Sequence, residues 1–180
     1  VSSPLSGVIT AMAPVDDVTE SVTPELNTSD DTSILLIKLN NKNRLAGSIF
    51  SEITETKYQN TPDIEDIETF KKMFLGIQNL LKNKKILAMH DISDGGLVTT
   101  LLEMCFTKKV GMRLNLDDSS GVNEFLFSEE IGFAIQIKKN NLDEITKNLT
   151  NENIYNFIKI IFFNLNCKAN FFRKKEFIDA

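Results

Sequence analysis

At 180 residues, with 42% hydrophobic and 25% charged positions, the chain has the size and composition of one globular domain that can bury a real core. A formal charge of −5, from 25 acidic against 20 basic residues, argues against a nucleic-acid surface, which would show a basic stripe. A single histidine, His90, excludes mechanisms that need two imidazoles, including most zinc sites built on His pairs.

The N-terminal stretch lacks an initiator Met and has no basic region ahead of a long apolar run, so it does not read as a secretion signal. It looks like the start of a segment cut from a longer polypeptide. Residues 7–15, apolar and β-branched and bounded by Pro4 and Pro14, suit a strand. The acidic "DDVTESVTPELNTSDDTS" that follows reads as extended loop, and "ILLIKL" at 34–39 as a buried strand. A helix is expected from Thr61, with Thr61 as cap, Pro62 at its first position, and Asp63, Glu65 and Asp66 complementing the dipole. Its apolar set is Ile64, Ile67, Phe70, Met73, Phe74, Ile77, Leu80 and Leu81, and "KNKK" closes it.

Residues 86–89 form the next expected strand, and Leu97, Leu101 and Cys105 line one stripe of a helix after Gly96. Residues 111–116 and 132–137 alternate at period two and read as strands, with a helical pattern at 141–149 between the second and a last β-like run. That run, "IYNFIKIIFFNL" at 154–165, is interrupted by Asn156 and Lys159 and falls short of the roughly 18 apolar residues of a membrane span. Arg173, Lys174 and Lys175 read as a solvated face. Cys105 and Cys167 make no disulfide framework and suit a reducing compartment, with Cys105 a buried thiol. One mixed domain of interleaved strands and helices is expected over residues 1–180.

The chemistry-bearing stretch is "ILAMHDISDGGLVTTLLEM", where a strand ends at His90 and a helix starts after Gly95 and Gly96. Unpaired N–H groups at a helix start attract phosphate oxygens, and glycines let the backbone approach a ligand. Asp91 and Asp94 beside such a pocket make sense if a hard cation lies between them and phosphate, and Mg²⁺ takes one or two carboxylates with phosphate oxygens. Ser93 can donate to phosphate. The same residues also suit a purely structural turn, with Asp94 as helix cap and Asp91 a solvated strand end, and the turn alone does not choose. Neither an EF-hand spacing nor a Walker Gly-Lys-Ser/Thr is present. No third catalytic partner accompanies His90, which suits a structural or supporting role.

The flanking segments carry a resemblance. "SPLSGVITAMAPVDDVTESVTPEL", "AGS", "PDIEDIETFKKMFLGIQNLL", "LAMHDISDGGLVTTLLEMCF" and "FLFSEEIGFAIQI" occur in the order found in one family. Over roughly residues 3–149 the chain resembles the C-terminal AIR-synthetase-like domain in the second half of large-form phosphoribosylformylglycinamidine synthases. The resemblance implies an α+β fold, a three-layer α/β/α domain with a mixed sheet. It implies an ATP- and glutamine-dependent ligase of purine synthesis that converts formylglycinamide ribonucleotide to formylglycinamidine ribonucleotide. It also implies an auxiliary Mg²⁺–ADP or Mg²⁺–ATP site, with Asp91 as metal ligand and Ser93 as nucleotide contact. Asp94, Gly95 and Gly96 match the turn as support, and Ser128 stands where the family pattern has Asn.

Expected partners are the nucleotide, formylglycinamide ribonucleotide and glutamine in the full enzyme, and the remaining domains of the same polypeptide, in the cytoplasm. Neither nucleic acid nor membrane is among them. No catalytic residue is assigned, because neither Cys has a His near it in sequence and the bond-making chemistry is expected elsewhere in the enzyme. The alternatives are a domain of another ATP-dependent enzyme of the superfamily, such as a small-molecule kinase, or a folded relic without catalysis.

Overall fold

In strand β1 (Thr32–Lys38) all but the first residue are buried, which a strand requires of its sequence only when both faces of its sheet are covered. The computed structural model describes residues 7–15, 17–28, 31–112, 114, 121–151 and 158–161, with side chains through 149. In it β1 pairs on one side with β3 (Gly132–Lys138) and on the other with β4 (Ile158–Ile161), both antiparallel. β2 (Ile86–Asp91) lies outside β3, giving the order β2-β3-β1-β4.

Helices α2 (Ile67–Lys82) and α5 (Leu142–Asn151) cover one face, and α3 (Gly96–Phe106) with the short α4 (Val122–Phe127) covers the other. The strand period of two sorts the core accordingly. Leu35, Ile37, Ile135 and Ile137 pack with Met73, Ile77 and Leu80 of α2 and Ile145 of α5. Ile34, Leu36, Ala88 and Ala134 pack with Leu97, Leu101, Met104 and Phe125. A register shift between Ile86 and Ala88 puts Ile86 and Met89 against the same core although they stand three residues apart.

The α+β class and the α/β/α layering therefore stand. Among the described residues every ladder is antiparallel: β1 and β2 run the same way, but β3 lies between them. Fully buried Gln136 is accommodated because its amide pairs with the Asn27 backbone in both directions, at 2.8 Å each, and donates to Thr32 Oγ1 at 2.9 Å.

Three sequence expectations are corrected. Residues 7–15 carry no strand, and Val8, Ile9 and Met12 are more than nine-tenths exposed. Apolar, β-branched composition makes a strand only where a neighbouring strand and a core face receive it, and neither does so here. The helix expected from Thr61 begins instead at Ile67. Asp66 is its cap, accepting from the N–H groups of Glu68 and Thr69 and from Thr69 Oγ1 at 2.9, 3.3 and 2.6 Å. These bonds hold the Asp66 carboxyl below its ordinary pKa, the Thr69 hydroxyl contributing most. The apolar stripe of α2 is wider than its buried face, since Ile67 and Phe74 are exposed while Met73, Ile77 and Leu80 are buried.

Third, 111–116 lies partly outside the described residues, and Gly111, Met112 and Leu114 carry no strand; Val110 alone makes an isolated bridge. Of the last β-like run, Ile158–Ile161 is β4 and the rest lies outside the described residues. The C-terminal cations and Cys167 lie there too.

Candidate functional site

β2 extends past His90 through Asp91, so both side chains leave the last turn of the sheet where α3 begins. Ile92 is buried and its N–H donates to Gly132 O at 2.9 Å, which pins the chain as it leaves the sheet. Thr100, buried in α3, places its hydroxyl 3.0 Å from Asp91 O and 3.2 Å from Gly96 O, fastening the helix back onto the strand end. Between these anchors Gly95 and Gly96 both take left-handed φ, +83° and +69°. A Cβ on Gly96 would sit 2.6 Å from the Phe127 carbonyl carbon, so the turn needs glycine for space as well as for φ.

The two proposed ligands are brought together at this turn. Asp91 is 65% exposed and Ser93 is exposed. Asp94 is also exposed but does not cap α3: the cap position is Gly95, with no side-chain cap bond. His90, only 16% exposed, sits between two carboxylates. Its Nε2 lies 2.9 Å from Glu103 Oε2, and its Nδ1 lies 3.2 Å from Asp91 Oδ1 and 2.9 Å from Asp91 O. It therefore holds Asp91 from behind while the outer side of that carboxylate faces solvent.

The adjacent glutamates of "FSEEIG" organise the rest of this end of the sheet, and the sequence reading gave them no role. Glu129 Oε1 accepts the N–H of Gly95 at 2.8 Å and that of Ile49 at 2.9 Å, joining the turn to the short helix α1 (Ile49–Ile53). Phe50 of α1 stacks on Phe127 with centroids 4.7 Å apart. Glu130, 1% exposed, takes a bidentate bond from Arg44 (Nε at 2.5 Å, Nη2 at 2.8 Å), the Arg44 N–H at 3.2 Å and Asn40 Nδ2 at 3.1 Å. Burial opposes its ionisation, but these hydrogen bonds outweigh burial and hold its carboxyl below the ordinary value; the same bond raises Arg44.

A polar cleft of about 580 Å³ opens beyond this pair, between Lys42 and Glu65. Its cations are already engaged, Lys42 by Glu65 and Arg44 by Glu130 and Glu65, and Asp91 and Ser93 are not among its walls. The cleft and the exposed residues of the turn therefore lie in different places.

Among the described residues no group of three or more His, Cys, Asp or Glu side chains could cage a metal. At the turn itself Asp91 and Asp94 are the exposed carboxylates, one or two being the number that Mg²⁺ takes from protein when phosphate and water supply the rest. Cys105 is buried in the α3 core, and burial raises its thiol pKa, so it takes no part in this chemistry.

An antiparallel sheet between two helical layers, with an Asp-rich double-glycine turn at one strand end, defines an α/β/α domain with an exposed polar turn at the mouth of one layer. Residues 31–161 match the AIR synthase related protein, C-terminal domain, and the chain belongs to that family. It is 40% identical over 153 residues, 83% of its length, to the probable phosphoribosylformylglycinamidine synthase, chloroplastic/mitochondrial, of Arabidopsis thaliana, of which it spans 11%. Its fold resembles Thermotoga maritima PurL complexed with ATP (TM-score 0.61, 12% identity, 80% of this chain and 23% of that one). It also resembles Escherichia coli HypE, a hydrogenase maturation protein (TM-score 0.55, 12% identity, 81% of this chain and 46% of that one). At such identities these two likenesses establish the fold alone.

Proposed function

We propose that the chain is one domain of a phosphoribosylformylglycinamidine synthase, the ATP- and glutamine-dependent ligase that makes formylglycinamidine ribonucleotide in purine synthesis. Within it the Asp91–Gly96 turn binds an auxiliary nucleotide with Mg²⁺. The observation that carries this reading is the contrast in bonding at the turn. Asp91 and Ser93 stay exposed at a glycine-built strand end, in a chain 40% identical to a synthase of that name.

In this reading Asp91 is the metal ligand, oriented by His90, and Ser93 donates to a phosphate oxygen. Bound Mg²⁺ would neutralise phosphate charge. Gly95 and Gly96 allow the left-handed turn that places Asp91 and Ser93, a Cβ at either glycine colliding with Thr99 or with the Phe127 backbone. The ligase chemistry, the formylglycinamide ribonucleotide and glutamine sites and the amide-transfer step belong to the remainder of the polypeptide. Cytoplasmic placement belongs to the same proposal, while the Arabidopsis relative is described as chloroplastic/mitochondrial.

Titration of Mg²⁺–ADP into the nucleotide-stripped full-length enzyme tests the assignment. Binding should weaken by roughly tenfold or more in Asp91→Asn, within the usual range for removing a ligand or its support. Unchanged affinity would remove Asp91 from the metal site.

A further inference from the structure

We propose that Glu129 is a positioning residue of the nucleotide turn, an internal carboxylate that occupies the anion position at the start of α3 and leaves phosphate to be met from the Asp91–Ser93 side. The inference rests on the nucleotide reading given above and adds a residue and a direction of approach to it.

One oxygen, Glu129 Oε1, accepts from Gly95 at 2.8 Å and from Ile49 at 2.9 Å. Gly95 is the cap residue of α3, so this carboxylate lies at the positive end of an eleven-residue helix, where an external anion would otherwise be drawn. The position of Glu129 is imposed by packing: the backbone of Phe127 and Ser128, directly before it, is what a Cβ on Gly96 would strike. The turn and the Glu129 segment are thus fitted to each other at backbone level.

Two consequences follow. Gly95 and Gly96 hold left-handed φ with no side chain of their own to fix them, so the Glu129 bond is what ties Gly95 to a neighbouring element. Among the described residues, the carboxylates that contacts or chain position bring to the turn are those of Asp91, Asp94, Glu103 and Glu129, beside the imidazole of His90. A phosphate arriving at the helix start would meet Glu129 directly. A phosphate arriving beside Asp91 meets a carboxylate that a divalent cation can bridge. The built-in anion therefore makes nucleotide binding depend on the metal.

The test uses the full-length enzyme, stripped of nucleotide, with Mg²⁺–ADP as titrant and Glu129→Ala and Glu129→Gln as variants. Glu129→Ala should bind roughly tenfold more weakly, in the range for outer partners of a metal site, and added formate should recover much of that loss by refilling the carboxylate position. Glu129→Gln, which keeps an acceptor oxygen, should fall between the two and decides the matter where the alanine variant does not fold. Amide hydrogen exchange at Gly95 should speed up in Glu129→Ala. A purely structural role would lower thermal stability while leaving the affinity of the folded enzyme and its response to formate unmoved, and that outcome overturns the proposal. Absence of Mg²⁺–ADP binding in the parent enzyme would instead sink the nucleotide reading itself, and this inference with it.

Discussion

Two carboxylates at the same end of the sheet are treated in opposite ways. Glu130 is 1% exposed and accepts four hydrogen bonds, three from Arg44 and one from Asn40. Asp91 is 65% exposed, and its side chain is contacted from behind by one imidazole. Glu130 has used its acceptor capacity to close the fold, whereas the Asp91 carboxylate is open to solvent, as the nucleotide reading requires. Removing the first should damage stability, and removing the second should damage binding.

The largest expected effect is therefore Glu130→Ala. It strips a buried, bidentate ion pair of one partner and leaves the Arg44 guanidinium, 12% exposed, with Glu65 as its remaining carboxylate. Such single truncations cost about 3–5 kcal/mol, which urea unfolding would read directly. The pH dependence sharpens the same point. Because the folded-state pKa of Glu130 lies below its ordinary value, its contribution is fully present above the ordinary glutamate range and is lost as pH falls through the lower, folded value. The gap between the parent and Glu130→Gln should accordingly narrow only as pH falls below the ordinary glutamate range; a gap that does not change with acid at all would contradict the ionised pair.

Next in size is Gly96→Ala, which tests whether the binding side also has a rigid base. The new Cβ meets backbone atoms of Phe127 and Ser128 at 2.6–2.8 Å and must take a φ of +69°. Strain of this kind costs about 1–3 kcal/mol, and the thermal midpoint should fall accordingly. Because the same shift moves Gly95 off Glu129, Mg²⁺–ADP affinity should fall with it. A variant with full stability and full affinity would mean the turn is looser than its geometry implies.

Asp91→Asn reverses the pattern. With its side chain exposed and, among the described residues, touched by His90, Asp91 should change unfolding free energy by no more than about 0.5 kcal/mol on substitution. Its effect should appear only in the roughly tenfold loss of Mg²⁺–nucleotide affinity. Destabilisation on the Glu130 scale would collapse the distinction between the two carboxylates.

That distinction was half legible in the sequence. The exposed turn that carries Asp91 and Ser93 is legible because its surroundings are local: an apolar run ends, two glycines follow, and a helical stripe begins, all within about ten residues. The Glu129 and Glu130 contacts are not local. Glu129 reaches Gly95 across 34 positions and Ile49 across 80, and Glu130 reaches Arg44 across 86. Two glutamates between an apolar segment and a strand were visible as "FSEE", but no spacing rule names partners at such separations.

The helix start was misplaced for the opposite reason, an excess of local signals. Thr61–Pro62 and the acids after it all suit a helix start, but the cap is Asp66, which the sequence places inside the first turn; Asp63 O and Glu65 bind Arg44 instead. Residues 7–15 have strand composition but no strand, because strand propensity describes a surface that fits a pleated neighbour, and the sequence does not say whether that neighbour is within reach. The short α1 and α4, of five and six residues, offered too few turns for a periodicity to register.

The smallest expected effect asks whether the buried half is as fully satisfied as Glu130 suggests. Ser128 is 3% exposed, and its Oγ has no hydrogen-bond partner among the described residues, although its own N–H closes α4 on Glu124 O at 3.2 Å. A buried hydroxyl without a partner carries its desolvation cost uncompensated, so trimming it to a methyl should be neutral or favourable. Ser128→Ala should raise stability by about 0.5–1 kcal/mol in urea unfolding, the modest end of that cost, because a small cavity replaces the lost oxygen. Mg²⁺–ADP affinity should stay unchanged, since the hydroxyl is buried. A loss of more than about 1 kcal/mol would show that the hydroxyl has a partner in the folded enzyme, and Ser128 would then join Glu130 among the groups whose bonding capacity is already used.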